Sequence, residues 1–77
     1  MGELPNAVVK RLLVKHGGGL RVSGDAIDKA AAAAEDYVAR LAREAQAAAE
    51  ADQRKTIMEN DIDRARAVLL AEGATEI

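Results

Sequence analysis

The chain has 77 residues, a single aromatic, Tyr37, no cysteine and a formal net charge of −2. That length allows one domain near the size where burial alone gives marginal stability, and the missing cysteines exclude disulfides and thiolate metal sites. No uncharged apolar run approaches the roughly eighteen residues of a membrane span, the N-terminus lacks the layout of a signal peptide, and Asn6 stands where a myristoylation signal prefers Ser or Thr; the expectation is a soluble intracellular protein without a membrane partner.

Pro5 suits the first position of a short helix, along which Val8, Val9, Leu12 and Leu13 form an apolar stripe opposite Lys10, Arg11 and Lys15. Gly17-Gly18-Gly19 ends it as a left-handed cap and turn. The glycines do not read as a phosphate loop, because the Lys-Ser/Thr ending is missing and the preceding segment is helical. His16, the only histidine, sits where a helix C-terminus welcomes positive charge, and no second metal ligand lies near it in sequence. Leu20 to Ser23 alternates apolar and polar over a short extended piece.

Gly24 to Asp52 follows as one long Ala-rich helix. Ile27, Ala31, Ala34, Val38, Leu41, Ala45 and Ala48 recur by steps of four and three, none of them charged. Ser23 is available as N-cap, and Asp25 and Asp28 lie near the positive end of the helix dipole. At 1.5 Å per residue the helix spans roughly 40 Å. Its seam is largely methyl groups, so another backbone can lie close against it, yet it offers little bulk for a self-contained core; the chain requires a partner. Tyr37, one step off the seam, reads as an interface filler.

A second extended segment, Gln53 to Met58, contains β-branched Thr56 and Ile57. Met58, Ile62, Ala65 and Leu69 then mark a last helix to about Ala71, followed by Gly73 and a polar tail over 72–77. Glu59, Asp61 and Asp63 suit the start of that helix and lack the spacing of a calcium loop.

The net charge conceals a dipolar distribution. Pro5 to Ser23 carries Lys10, Arg11, Lys15 and Arg21 with no acid, and Gln53 to Met58 carries Arg54 and Lys55 with no acid; all thirteen acids lie elsewhere. Local charge of this kind steers a polyanionic partner better than the total does. No nucleophile has a plausible base, so the chain is not expected to be an enzyme, and no cofactor, metal or small-molecule substrate is implied.

The order short helix, extended loop, long helix, extended loop, short helix carries further motifs: Glu3-Leu4-Pro5, Arg21-Val22-Ser23 with Asp25-Ala26, and Arg54-Lys55-Thr56-Ile57 followed by Asp61-Ile62. Together these resemble archaeal histones, over about residues 3 to 70. The resemblance implies an all-α histone fold, a single domain with its core over about 4–71, and a head-to-tail dimer whose long helices cross. Ile27, Ala31, Ala34, Tyr37, Val38, Leu41, Ala45 and Ala48 would then line the dimer interface. It implies that each first loop lies beside the other chain's second loop on a DNA-binding face formed by Lys10, Arg11, Lys15, Arg21, Ser23, Arg54, Lys55 and Thr56. Within that set, Arg21 would enter the minor groove, Thr56 would support it, and Lys55 would contact phosphate. Arg54 and Asp61 match the family's structural ion pair. The chain departs from the pattern at the end of the long helix, where Ala48-Ala49-Glu50-Ala51-Asp52 lacks the histidine and larger apolar groups that join dimers, so extended assembly by that contact is not expected.

Two functions are compatible with this reading. One is a homodimeric architectural protein that bends, coats or compacts double-stranded DNA with little sequence specificity, cytoplasmic and associated with the nucleoid, with a paralogue able to replace one chain. The other is a histone-fold interaction module of a transcription-related complex that pairs with another subunit and touches DNA weakly or not at all.

Overall fold

The computed structural model describes residues 3–75 and contains three helices, α1 (Asn6–His16), α2 (Gly24–Ala51) and α3 (Glu59–Thr75), with no strand among the described residues. The chain is all-α, as the periodicity predicts. Pro5 stands just outside α1, with φ −63° and ψ 126°, and its carbonyl accepts the amides of Val8 and Val9. This moves the helix start one residue beyond the expected one. α3 differs more. It continues past Ala71 through Gly73 to Thr75, because one glycine costs a helix only about 1 kcal/mol relative to alanine and no proline follows it. The part of the expected polar tail up to Thr75 is therefore helical, and residues 76 and 77 lie outside the described residues.

The fold comprises two compact units, one up to Tyr37 and one from Val38 onward, with the boundary inside α2. In the first unit, Glu35 Oε2 accepts the backbone amides of Glu3 (2.8 Å) and Leu4 (3.3 Å), tying the chain start to α2. Asn6 Nδ2 donates to Asp28 Oδ1 at 3.3 Å. Val8, Val9, Leu12 and Leu13 of α1 and Ala30 and Ala34 of α2 line an open apolar groove of about 440 Å³. In the second unit, Ala45, Ala49 and Ala65 are buried, and Arg40 Nη2 lies 3.5 Å from Glu72 Oε1.

Buried residues among those described are four alanines, Ala31, Ala45, Ala49 and Ala65, together with Asp61. Among the described residues no large apolar side chain is fully buried, and Leu12, Leu20, Val38, Ile57, Ile62 and Leu70 are among those well exposed. The seam of α2 is thus divided. Ala31 and Ala45 are buried within the single chain, whereas Ala34, Tyr37 and Val38 are open. Ile27, Leu41 and Ala48 are half-buried.

Candidate nucleic-acid interface

The first loop starts where α1 loses its helical register. Gly19 donates its amide to Val14 O at 3.1 Å, and between them Gly18 adopts φ 72°, the left-handed conformation that non-glycine residues rarely take. A Cβ at Gly17 would meet Leu13 O at 2.5 Å, so glycine is required there for closeness as well. Lys15 and His16 occupy the last turn of α1, where cations meet the negative end of the dipole. Leu20 to Ser23 has no regular structure, and its Arg21 is exposed. Ser23 closes the loop as N-cap of α2: its Oγ accepts the Ala26 amide at 3.1 Å and its carbonyl accepts that of Ile27. While accepting this bond, the Ser23 hydroxyl retains a proton of its own to donate. Lys10, Arg11, Lys15 and Arg21 are all exposed, and none forms an ion pair among the described residues.

The second loop is a tighter construction. α2 ends with Arg54 donating its amide to Ala49 O at 2.9 Å and Gln53 donating to Glu50 O at 2.9 Å, the paired bonds of a Schellman cap. Gln53 takes the left-handed position, φ 59°, that glycine usually holds. The turn delivers Arg54 to Asp61. Arg54 Nη1 donates to Asp61 Oδ2 and Nη2 to Oδ1, each at 2.8 Å, a two-pronged pairing that matches the planar guanidinium to the carboxylate. Nη1 also donates to Thr56 O at 3.0 Å, and Nη2 to Asp52 Oδ2 at 3.0 Å. Asp61 is fully buried, and its Oδ2 accepts the Met58 amide at 2.7 Å, reaching back from the third residue of α3 to the helix start. These donors compensate for burying the charge. Chiefly the Arg54 bonds, and then the Met58 amide, hold the Asp61 carboxyl at about 2, below its ordinary 3.8, although burial alone would raise it. Asp61 and then Asp52 push the Arg54 guanidinium further up from its already high value.

Lys55 and Thr56 are exposed on this loop, whereas Arg54 is half-buried with four donor bonds committed inside the chain. Of the basic residues singled out in the sequence, Lys10, Arg11, Lys15 and Arg21 lie in the first unit and Arg54 and Lys55 in the second. The part of Asp52 in the Arg54 cluster is not apparent from composition; its position two residues before the arginine, across a helix end, is the only signal. Among the described residues there is no group of three or more His, Asp or Glu able to hold a metal ion, and no helix is long and apolar enough to cross a membrane. The loops offer exposed cations on a braced backbone, which suits contact with a polyanion and provides no enclosed site for chemistry. A family model for the core histone domain matches residues 6–68, and no solved structure matches the chain.

Proposed function

Since the chain belongs to the core histone family, a non-enzymatic structural DNA-binding fold whose members generally dimerise, we propose that it is a homodimeric architectural protein that bends, coats or compacts duplex DNA with little sequence specificity. The observation that carries this reading is that Lys10, Arg11, Lys15, Arg21 and Lys55 are exposed in acid-free segments and unpaired among the described residues. Head-to-tail pairing, as in archaeal histones, would bring each first loop beside the partner's second loop. Arg21 then enters a narrowed minor groove, where negative potential is strongest, with Thr56 beside it, while Lys55 and the α1 cations neutralise phosphates and the Ser23 hydroxyl donates to one. Arg54 braces the loop through Asp61. Ala34, Tyr37, Val38, Leu41, Ile27 and Ala48 remain for the partner, and the exposure of Ala34, Tyr37 and Val38, with the other three only half-buried, supports that role. The protein would be associated with the chromosome.

The test is a salt titration of duplex binding by the purified protein. Each phosphate neutralised contributes a slope of about −0.9 in log K against log salt; five free cations per chain, not all engaged, lead to roughly six to nine contacts per dimer and a slope of about −5 to −8. Absence of duplex affinity at low salt refutes the reading. It would favour a heterodimerisation module in a larger complex, for which the specific support is Glu50 and Asp52 flanking the second loop.

A further inference from the structure

The Arg54 guanidinium is held by two carboxylates, and only one of them is needed for the loop. Asp61 is buried and supplies the two-pronged bond, but Asp52 is well exposed, with 46% of its side chain accessible, and reaches Nη2 from outside at 3.0 Å. Asp52 Oδ2 also lies 4.0 Å from Arg64 Nη1 of α3. Helix stability does not account for an acid at this position. Asp52 follows the last residue of α2, whose final turn contains no base, so its charge faces the negative end of the helix dipole. The cluster of Arg54, Arg64, Asp52 and Asp61 sums to zero charge, which leaves Lys55 as the second loop's only uncompensated cation.

We propose that Asp52 is a built-in competitor for phosphate: its carboxylate occupies the outward donor of Arg54 that a DNA backbone oxygen would otherwise take, and so restrains the affinity of the second loop for duplex DNA. A carboxylate and a phosphate oxygen present the same acceptor chemistry to an arginine N–H, so the two exclude each other at Nη2. The inference rests on the DNA-binding reading above and adds a restraint to it. The remaining Arg54 bonds to Asp61 and Thr56 do not involve Asp52, so the loop keeps its brace when Asp52 is neutralised.

The experiment compares duplex binding by the parent, Asp52→Asn, Asp52→Ser and Asp63→Asn across salt. Asp63 is an exposed α3 acid with no ion pair among the described residues, and its substitution removes the same charge per chain. Two Arg54 side chains released per dimer add up to two phosphate contacts, steepening the slope by up to about 1.8. The affinity advantage of Asp52→Asn over the parent then grows about tenfold between 200 mM and 50 mM salt, and Asp52→Ser behaves alike. Asp63→Asn leaves the slope at its parent value. If the parent binds duplex and both Asp52 variants bind with its slope, the inference is overturned and the DNA reading stands. If they bind more weakly, with lowered melting temperatures, Asp52 is structural and the inference is again overturned. Failure of all four proteins to bind at low salt overturns both.

Discussion

Val38→Glu separates a chain that is stable alone from one completed by a partner. In the single chain Val38 is 58% exposed, and a surface substitution of this kind usually changes stability by no more than about 0.5 kcal/mol. In a dimer whose long helices cross over this stripe, the same glutamate is buried without a partner, at a cost of several kcal/mol per ion. Two per dimer give roughly 6 kcal/mol or more, a weakening of the dissociation constant by about 10⁴. The gain being lost is large: burying half of a side chain such as Val38, Leu12 or Leu70 contributes about 1 kcal/mol, and ten large apolar residues stand exposed among those described in each chain. Sedimentation equilibrium and thermal melts at several concentrations measure both effects. Two chains of 77 residues unfold with an enthalpy of about 110 kcal/mol, so tenfold dilution lowers the dimer's Tm by about 4–5 °C. Val38→Glu should be monomeric and largely unfolded at micromolar concentration. A parent Tm that does not change on dilution, together with a Val38→Glu variant as stable as the parent, would refute the reasoning.

Lowering the pH should destabilise the protein through Asp61: its folded value of about 2 is below the ordinary 3.8, so the stabilisation is complete above about pH 4 and is lost as the pH falls through about 2. Asp61→Asn should flatten that acid limb and lower Tm at neutral pH by several degrees, read by circular dichroism, because the half-buried Arg54 guanidinium loses its two-pronged partner and keeps only the exposed Asp52. Lys55→Ala should weaken binding to all duplexes and reduce the salt slope by up to about two units per dimer, whereas Arg21→Ala should in addition abolish any preference for narrow A·T-rich grooves; fluorescence anisotropy on two sequences distinguishes them. Gly73→Ala should raise stability by about 0.5–1 kcal/mol in a denaturant melt, since the glycine is helical and a Cβ there meets no atom within 4 Å.

The helices are legible in the sequence because alanine and the apolar steps of three and four act locally. Gly17 to Gly19 and the Arg54–Lys55–Thr56–Ile57 run show where the chain must turn, for reasons contained within a few residues. The end of α3 is misread when Gly73 is given the weight of a stop, although a glycine without a following proline only weakens a helix. The division of the α2 seam is illegible for a different reason. Ala31 and Ala34 are the same residue type on the same stripe, and only tertiary placement decides that the first is buried by its own chain and the second is open. The cap at Gln53 also escapes composition, since the residue adopts a backbone conformation that its type does not favour. Of the candidate interface, the cations are readable as charges, but the fact that Arg54 is committed to two carboxylates while Lys55 is free depends on geometry.

The Arg54–Asp61 cluster spans a sequence separation of only seven residues, and this has a consequence for the order of assembly. Loops of about ten residues close in roughly 10–100 ns, far faster than two chains meet at micromolar concentration. The second loop and the first turn of α3 can therefore take shape on the solitary chain, with the Met58 amide sheltered by Asp61 from exchange with solvent. The open stripe of α2 has no such local closure, and in the proposed dimer it is covered only when two chains collide. For the proposed dimer, folding then divides between a fast first-order step that shapes the loop and a slower second-order step that covers the long helix. Dilution slows the second step without affecting the first.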